Sequence, residues 1–320
     1  MSSPAYLFGC LHEAISSAER LLLVAHKKPD GDTLGSSSSM LNWLLREGKT
    51  VTAFCVDPPP KTFRYLDNIQ RYTADPTVFD QSYDVVIVFD SGDLRYCGVD
   101  QLIPRLPSGY LLVNIDHHVT NQCYGHLNLV LTDASSTAEI VQRFYEATRV
   151  WVDARMATSV LTGLVTDTSN FSNAATNPKS LEVASTLLAA GARLNDISRH
   201  VLFDKTIPAL RLWGLLLSRL RHHATYDVVS TYVLKEDVLD VSADIVEGVS
   251  NFLNRVTGNT DTILVLRELS NGTVKGSFRS VARDVSKLAR LLGGGGHKKA
   301  AGFTLSGSIE ETADGQRVVY

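Results

Sequence analysis

The sequence has 320 residues, of which 44% are hydrophobic and 20% charged, a balance that is typical of folded globular proteins and excludes a largely disordered chain. The formal net charge of −3 argues against a broad basic surface for long nucleic acids. Apolar runs stay shorter than the roughly 18 residues of a membrane span, and the first residues lack the basic start of a signal peptide, so we expect a cytoplasmic protein without membrane contact.

The first part of the chain alternates between apolar, strand-like runs and stretches with helical spacing. The strand-like runs occupy residues 21–26, 50–56, 84–90 and 110–116. Strands rich in Val, Ile and Leu that alternate with helices indicate a parallel sheet with helices on both faces. From residue 137 to residue 221 apolar residues recur every three or four positions, which predicts a series of helices. We therefore predict an α/β domain over residues 1–190 and a helical linker over residues 191–222.

The pattern changes again after residue 222. Strands are predicted at 226–235, 260–269 and 273–280, and Asn271-Gly272 before the last of them is a strong hairpin signal. A helix at 284–293 and a strand at 298–307 complete a smaller α+β domain, predicted for residues 223–320. Residues 1–190 carry 14 basic and 20 acidic residues (−6), whereas residues 191–320 carry 17 and 14 (+3). These charges suit cation binding in the first part and an anionic substrate in the second.

Acidic residues and histidines gather where the predicted strands and one helix end. They are His26, Asp30 and Asp32 after the first strand, Asp90 at the end of the third, Asp116, His117 and His118 at the end of the fourth, and Asp167 at the end of a helix. Loops at the carboxyl ends of parallel strands form the ligand crevice of an open sheet, so we expect one common site. A single strand-end aspartate is usually a helix cap or turn residue, but four such clusters are hard to explain in that way.

The types of residue in this cluster indicate a metal and a reaction. Carboxylates with a minority of imidazoles and no thiolate make a hard site, which suits Mn²⁺ or Mg²⁺ better than structural zinc. Five carboxylates and three imidazoles exceed what one ion needs. Two ions about 3.5 to 4 Å apart, bridged by a carboxylate, can clamp a phosphoryl group for in-line attack. The predicted reaction is therefore phosphoester hydrolysis.

Five motifs occur in the order HKKPDGDTLGS, VFDSGD, NIDHHVTN, VTDTSNF and GGGGHKKAAGF. In these motifs the chain resembles the DHH/DHHA1 phosphoesterases, and among them the oligoribonuclease (nanoRNase) and pAp phosphatase group. The resemblance extends over nearly the whole chain. It implies a DHH catalytic domain, followed by a DHHA1 domain that holds the nucleotide part of the substrate. One departure is Ser169, which stands where the family often has the glycine of a Thr-Gly pair.

The resemblance also implies roles for the clustered residues. It assigns six of them to two Mn²⁺ ions, with Mg²⁺ as the alternative: His26 and Asp30 to the first ion, Asp32, His117 and Asp167 to the second, and Asp90 as the bridge. His118 would face the phosphate, and Asp116 would orient a histidine, a function that metal-binding imidazoles usually require. Asp90, Asp116 and His118 are therefore the expected catalytic residues.

Two further segments are expected to contact the substrate. Gly35-Ser36-Ser37 is predicted to begin a helix, whose free N–H groups favour an anion, although Ser36 could equally be only a cap. The glycines before His297 are either a flexible loop after a helix or a backbone that approaches a phosphate closely, and the resemblance favours the second. The expected substrate-binding residues are Ser36, Arg279, Gly294, Gly295, Gly296 and His297.

The leading hypothesis is a phosphoesterase that hydrolyses short single-stranded oligonucleotides (nanoRNA) to mononucleotides and that can also convert pAp to AMP. The same centre would suit a linear or cyclic dinucleotide phosphodiesterase, or a RecJ-like exonuclease, for whose extra oligonucleotide-binding domain 320 residues leave little room. The non-enzyme alternative is a nucleotide-binding regulator, against which the intact ligand positions argue. The family is compatible with a homodimer. Chain length, end polarity and the choice between RNA and DNA stay open.

Overall fold

The structure is a computed structural model that describes residues 3–173, 175–202, 206–238, 248–250, 252–253, 261–280, 282–312 and 315–319. The chain divides into two units, Met1–Asp204 and Lys205–Tyr320. Among the described residues, every helix is too short or too polar to cross a lipid bilayer.

The apolar runs of the first unit form one six-stranded sheet, in which all neighbouring strands are parallel. Its strands are β1 Arg20–Ala25, β2 Thr50–Cys55, β3 Tyr72–Thr73, β4 Val85–Phe89, β5 Leu111–Asp116 and β6 Leu127–Val130, in the order β3-β2-β1-β4-β5-β6. The order reverses between β1 and β4. The carboxyl ends of these two strands are therefore the switch point of the sheet, where ligands bind in open α/β folds.

Both faces of this sheet are buried, each under a separate hydrophobic core. Successive residues of a strand point to opposite faces, so each strand contributes side chains to both cores. In β1, Leu21 and Leu23 belong to one core, and Leu22 and Val24 belong to the other. The described helices of the unit are α1 Pro4–Ser17, α2 Gly31–Arg46, α3 Leu94–Cys97, α4 Thr137–Thr148, α5 Ala154–Asp167, α6 Pro178–Ala189 and α7 Leu194–Ile197. The longer helices cover the first core, and α3 with short 3₁₀ turns covers the second. The predicted parallel sheet with helices on both faces is confirmed.

Helices α2 and α5 cross with almost no side chain between them. A Cβ atom on Gly35 would lie 2.4 Å from the carbonyl oxygen of Ser159 and 2.7 Å from the backbone nitrogen of Gly163. A Cβ atom on Gly163 would lie 2.5 Å from Cβ of Ala138 and 2.8 Å from Oδ1 of Asp32. Glycine is required at both positions because the backbones approach so closely. The crossing fixes the first turns of α2, which carry Asp32, against the second half of α5.

The second unit is built around a mixed sheet. Its described elements are α8 Ile207–Ser218, β7 Arg221–His223, β8 Val228–Val233, β9 Thr262–Glu268, β10 Thr273–Ser280, α9 Val285–Leu291, β11 Gly295–His297 and β12 Ala300–Ser306. The strand order is β11-β12-β10-β9-β8-β7, with β8 and β9 parallel and the other described pairs antiparallel. Leu212 and Leu216 of α8 pack on one face, and Val285 and Ala289 of α9 pack on the other. The predicted smaller α+β domain is confirmed.

Several local predictions for this region can be compared with the structure. The hairpin predicted at Asn271-Gly272 is confirmed, since β9 and β10 are antiparallel and Gly272 has a left-handed φ of +73°. A second hairpin, β13 Ser308–Thr312 with β14 Gly315–Val319, was not predicted. Residue 260 of the predicted strand 260–269 lies outside the described residues. The domain boundaries at residues 190 and 222 stay predictions; between them, α7 packs in the first unit and α8 in the second.

The glycine crossing can be tested by a pair of valine substitutions. Gly35→Val should destabilise the fold by about 3 kcal/mol, because the new side chain meets backbone atoms that cannot move aside. Gly9→Val in α1 is the matched control, since no atom lies within 4 Å of the corresponding Cβ position, and it should change the free energy of unfolding by less than about 0.5 kcal/mol. Urea unfolding followed by circular dichroism measures both; equal losses would contradict the crossing.

Candidate metal centre

The predicted ligands meet at the carboxyl edge of the parallel sheet, around the switch point between β1 and β4. His26 follows β1, Asp90 follows β4 and Asp116 is the last residue of β5. Three groups of side chains place their ligand atoms within 4.8 Å of one another: His26, Asp30 and Asp90; Asp32, His117 and Asp167; and Asp90, Asp116, His117 and His118. The structure therefore brings all eight predicted residues into one cluster.

Asp90 lies between the first two of these groups. Its Oδ2 atom is 3.4 Å from Nε2 of His26, and its Oδ1 atom is 3.6 Å from Nε2 of His117. A carboxylate that bridges two metal ions presents its two oxygens in this way. Thr137 donates its hydroxyl to Oδ1 at 3.1 Å. The backbone of Asp90 is left-handed, with φ at +54°, a conformation that aspartate tolerates better than most residues.

The first group, His26, Asp30 and Asp90, is held in place by the backbone. Nδ1 of His26 donates to the carbonyl oxygen of Lys27 at 2.8 Å, which leaves Nε2 to face the carboxylates. Oδ1 of Asp30 accepts two N–H groups from the first turn of α2 and so caps that helix. Burial alone lowers the pKa of His26, but the neighbouring carboxylates of Asp30 and Asp90 raise it to about 11. This environment favours a positive charge at Nε2.

The second group, Asp32, His117 and Asp167, lies between helix ends. Nε2 of His117 is 3.5 Å from Oδ2 of Asp167 and 4.0 Å from Oδ2 of Asp32. The two oxygens of Asp32 accept the N–H groups of Thr137 at 2.7 Å and Ala138 at 2.9 Å, so the positive end of the α4 dipole faces this carboxylate. Burial and then repulsion by neighbouring carboxylates raise the pKa of Asp32 well above its ordinary value, and they raise that of Asp167 to about 6.

Asp116 and His118 form a hydrogen-bonded pair beside Asp90. Nδ1 of His118 is 2.7 Å from Oδ1 of Asp116, which is fully buried, and Asn121 donates to the other oxygen of Asp116 at 2.5 Å. The hydrogen bond with Asp116 raises the pKa of His118 to about 9. The imidazole is therefore positively charged at neutral pH in the metal-free protein. Its side chain is 47% exposed, so it is accessible to a substrate.

The charge of the whole cluster suits divalent cations. It contains five carboxylates, and among the described residues no lysine or arginine forms an ion pair with any of them. The three imidazoles beside them carry at most three positive charges, so the five crowded and partly buried carboxylates still repel one another unless protons or metal ions neutralise them. Carboxylate oxygens with a minority of imidazole nitrogens are ligands that Mn²⁺ and Mg²⁺ accept. The donor set therefore fits a metal centre.

Two predicted substrate residues of the second unit lie on the same face of its sheet. Arg279 in β10 and His297 in β11 both pair with Ala300 of the intervening strand β12. Residues that pair directly across antiparallel strands point to the same side. Because neighbouring strands are about 4.8 Å apart, the two side chains leave the sheet about 10 Å from each other. Their contact with a substrate stays a prediction.

Gly295 and Gly296 belong to strand β11, and Gly294, which directly precedes the strand, packs against β12. A Cβ atom on Gly294 would lie 2.1 Å from a backbone oxygen of β12, and one on Gly296 would lie 2.6 Å from a Cα atom of the same strand. No atom lies within 4 Å of the corresponding position on Gly295. Close packing against β12 therefore explains why glycine is needed at positions 294 and 296. The expected approach of these three residues to a substrate stays a prediction.

The expectation for Ser36 is wrong, because the helix begins earlier than predicted. Helix α2 begins at Gly31, with Asp30 as its N-cap. The side chain of Ser36 is fully buried, and its hydroxyl donates to the carbonyl oxygens of Asp32 at 2.7 Å and Thr33 at 3.1 Å. A buried hydroxyl that bonds to its own helix is not placed to contact a phosphate. Asp30, which was expected only as a ligand, provides the cap.

Comparison with known proteins supports the same interpretation. The model of the DHH family, N-terminal domain, matches residues 20–164, and the model of the DHHA1 domain matches residues 228–315. The bifunctional oligoribonuclease and PAP phosphatase NrnA of Thermus thermophilus is 33% identical over 298 residues, which cover 92% of this chain and 87% of that protein. The chain belongs to the DHH/DHHA1 phosphoesterases. The family predicted from the sequence is confirmed.

Two further relatives extend the comparison. The bifunctional oligoribonuclease and PAP phosphatase NrnA of Bacillus subtilis is 26% identical over 303 residues, which cover 92% of each chain. The crystal structure of an exopolyphosphatase-related protein from Bacteroides fragilis superposes with a TM-score of 0.82 at 24% identity, over 96% of this chain and 93% of that one. At that identity the second comparison shows that the two proteins share the DHH/DHHA1 fold.

The groups that hold the candidate ligands of this DHH/DHHA1 phosphoesterase in place were not predicted from the sequence. The N–H groups of Thr137 and Ala138 bond to Asp32, and Asn121 bonds to Asp116. The sequence does contain a signal for the N–H groups of Thr137 and Ala138. Ser136 is followed three residues later by Glu139, and this spacing of serine and glutamate marks the start of a helix. The sequence could not show which carboxylate that helix start would face.

At Ser169, where the family often has glycine, the backbone has a left-handed conformation that favours glycine. Ser169, Asn170 and Phe171 have left-handed φ angles of +53°, +58° and +58° immediately beyond the end of α5. A left-handed conformation costs a residue with a side chain about 1 to 2 kcal/mol, which the glycine frequent in the family would avoid. The N–H of Asn170 donates to Val165 at 2.7 Å, and Asn173 donates to the carbonyl oxygen of Asp167 at 2.7 Å. These bonds tie the strained turn to a proposed metal ligand.

The Asp116–His118 pair gives a pH-dependent prediction for the metal-free protein. Because the folded pKa of His118, about 9, exceeds its ordinary value of about 6.5, the pair stabilises the fold fully below about pH 6.5, and this stabilisation is lost as the pH rises through about 9. Asp116→Asn should shift the titration of His118 toward about 6.5. Nuclear magnetic resonance of the imidazole protons, assigned with His118→Gln, measures the shift; an unchanged titration in Asp116→Asn would contradict the pairing.

Proposed function

We propose that this DHH/DHHA1 phosphoesterase hydrolyses short single-stranded oligonucleotides to mononucleotides and converts pAp to AMP. The proposal depends above all on Asp90, whose two oxygens face the imidazoles of His26 and His117 in separate ligand groups, as a two-metal phosphoesterase requires. The substrates are those named in the two NrnA relatives. The donor set and the family support the reaction class.

We assign two Mn²⁺ ions to the centre, with Mg²⁺ as the alternative. The first ion would be held by His26, Asp30 and Asp90, and the second by Asp32, His117, Asp167 and the same Asp90. Bound ions would supply Lewis-acid polarisation of a phosphoryl group and activation of a water molecule. The protein prepares the site by fixing Nδ1 of His26 on a carbonyl oxygen and both oxygens of Asp32 on the start of α4. Preorganised ligands need little rearrangement during the reaction.

His118 and Asp116 would stabilise the charge that develops on the phosphoryl group. His118 is bonded to Asp116 through Nδ1, so its Nε2 atom remains as a donor. An imidazolium that donates to a phosphoryl oxygen stabilises a transition state with increased negative charge. Asp116 is fully buried and accepts from Asn121 as well, so it fixes the orientation and the charge of His118. In this proposal Asp116 is a positioning residue.

The second unit would bind the nucleotide through Arg279 and His297. Because both side chains leave the same face of the sheet, about 10 Å apart, a guanidinium and an imidazole would contact one ligand from two sides. Arginine binds phosphate oxygens through several N–H groups. The formal charge of +3 over residues 191–320 supports an anionic ligand in this part of the chain.

A substrate panel tests the proposal against other phosphoesterase activities. The panel contains pAp, pGpG, cyclic di-AMP and labelled RNA and DNA of two to twenty-four nucleotides, each assayed with Mn²⁺ and with Mg²⁺. We expect the highest kcat/KM on RNA of two to five nucleotides and measurable activity on pAp. A preference for cyclic di-AMP or pGpG would identify a dinucleotide phosphodiesterase, and a preference for the longest strands would identify a RecJ-like exonuclease. Absence of turnover on every substrate would leave a nucleotide-binding regulator.

Asp90→Ala should abolish most of the activity, because it removes the only side chain in both proposed ligand sets. A loss of roughly 4 kcal/mol of transition-state stabilisation corresponds to about a thousandfold in rate. Exhaustive chelation should have the same effect, and added Mn²⁺ should reverse it in the wild-type protein only. Metal content by mass spectrometry and hydrolysis of a labelled dinucleotide measure both. Asp100→Ala, outside the cluster, is the control; full activity of Asp90→Ala would exclude a bridged centre.

Arg279→Ala and His297→Ala should impair substrate binding and leave the metals bound. Loss of one charge-assisted contact costs about 1.5 to 3 kcal/mol, or roughly ten to a hundred and fifty fold in kcat/KM. The loss should be large on a dinucleotide and small on bis-p-nitrophenyl phosphate, which offers a phosphodiester to the metals but no nucleotide to the second unit. Metal content and both activities are the measurements.

Lys287→Ala is the matched control for these variants, since it removes an exposed cation of α9 in the same unit. It should leave both activities within about twofold of wild type. Equal losses on the two substrates in Arg279→Ala or His297→Ala, or loss of metal, would assign these residues to the fold or to the catalytic centre.

A further inference from the structure

Tyr96 is an exposed aromatic residue beside the first group of candidate metal ligands. Its ring centre lies 5.6 Å from the ring centre of His26, with an angle of 49° between the two ring planes. Tyr96 is 54% exposed, whereas His26 is only 3% exposed. In the described part of the chain, the hydroxyl of Tyr96 has no hydrogen-bond partner. An aromatic surface is therefore open to solvent at the edge of the metal centre.

The short helix that carries Tyr96 explains why its side chain points outward. Helix α3, Leu94–Cys97, has a single turn, and the N–H of Tyr96 donates to Oδ1 of its N-cap, Asp93, at 2.6 Å. Cys97 is fully buried in the second core of the sheet, and Leu94 packs against the same core. These two side chains are three residues apart and so lie on one side of the turn. Tyr96 lies on the other side, so neither burial nor a bond of its hydroxyl accounts for a tyrosine there.

The backbone on both sides of Tyr96 is bonded to the residue that follows His26. The N–H of Lys27 donates to the carbonyl oxygen of Cys97 at 3.0 Å, and Nζ of Lys27 donates to the carbonyl oxygen of Arg95 at 3.2 Å. The helix and the loop of His26 are thereby fixed to each other. A rigid aromatic surface loses little conformational freedom when a ligand binds to it.

The same loop adds positive charge next to the aromatic ring. Lys27 and Lys28 directly follow His26, and both are exposed. The ammonium group of Lys27 bonds to α3, whereas that of Lys28 has no ion-pair partner among the described residues. Proteins that hold single-stranded nucleic acid combine cations for the backbone with exposed aromatic rings on which the bases stack. This part of the metal centre has both.

We propose that Tyr96 is a stacking platform for a nucleobase of the substrate, on the His26 side of the scissile phosphate. The inference rests on the proposed function, because a nucleotide whose phosphate lies at the metal centre brings its base within reach of a ring 5.6 Å from a candidate ligand. Lys28 would attract the anionic backbone of the same ligand. Every base has a π-face, so the platform would hold purines and pyrimidines alike. Tyr96 would thus bind substrate without touching the reacting atoms.

Binding titrations on the full chain loaded with Mn²⁺ test this platform with two probes. The first is 2-aminopurine riboside 5′-monophosphate, an analogue of AMP whose fluorescence falls when its base stacks on an aromatic ring. The second is ribose 5-phosphate, which has no base. Tyr96→Ala should weaken binding of the first probe roughly 5- to 150-fold and remove most of the quenching. It should leave binding of ribose 5-phosphate unchanged, and Tyr96→Phe should bind both probes within about twofold of wild type, because the ring remains.

Trp151→Ala is the matched control, since it removes an aromatic residue that is 71% exposed before the start of α5, at the opposite end of that helix from Asp167, roughly 20 Å away. It should bind both probes like the wild type. Wild-type affinity for the aminopurine nucleotide in Tyr96→Ala, or no quenching in the wild type, would overturn the proposal. Equal losses for the two probes, or loss of Mn²⁺ measured by mass spectrometry, would instead show that Tyr96 orients His26.

The titrations and the hydrolysis assays fail independently of each other. The titrations measure binding of a product analogue and need no turnover. If Tyr96→Ala binds the aminopurine nucleotide like the wild type while the wild-type protein hydrolyses a dinucleotide, the platform is wrong and the proposed function stands. If the wild-type protein turns over no substrate of the panel, the proposed function is wrong whatever the titrations show.

Discussion

The crossing of α2 and α5 at Gly35 and Gly163 is the constraint on which the metal centre depends. Two helix backbones in direct contact have little freedom to slide, since interiors are packed at crystal-like density. The first turn of α2 and the last turn of α5 are thereby kept at the same edge of the sheet, with Asp32 on one and Asp167 on the other. The serines of α2 are fully buried, because small side chains let the helix lie deep in the core. The ligands are thus positioned by helix packing and by strand ends together.

Electrostatics then determine what this scaffold can bind. Like charges held a few ångströms apart raise the cost of folding, and the protein offsets that cost locally with the N–H groups at the starts of α2 and α4 and with three imidazoles. These neutral or singly charged groups cannot balance five carboxylates. The remaining negative charge gives a divalent cation its affinity for the site. Mutations that relieve the repulsion, such as aspartate to asparagine, can stabilise the metal-free fold while they weaken metal binding.

The sequence predicted the parallel sheet and the gathering of the eight clustered residues, because apolar runs have a clear period and the carboxyl ends of parallel strands share one edge. It misplaced Ser36, since Asp30 was interpreted only as a ligand when it is also the helix cap. It could not predict the bond from Thr137 to Asp90 or the contact between the rings of Tyr96 and His26, because these contacts join residues far apart in the chain. Such contacts depend on tertiary packing, which neither periodicity nor local motifs encode.

The left-handed backbone at Asp90 restricts which amino acids can occupy this position, independently of metal binding. With φ at +54°, the position accepts aspartate, asparagine or glycine at low conformational cost and disfavours longer or branched side chains. Glutamate would preserve the charge but would have to adopt a backbone conformation it rarely uses. The polypeptide geometry therefore favours aspartate at the position of the proposed bridging carboxylate. A library that varies the metal preference of this protein would do better to change the surrounding ligands and to leave this residue fixed.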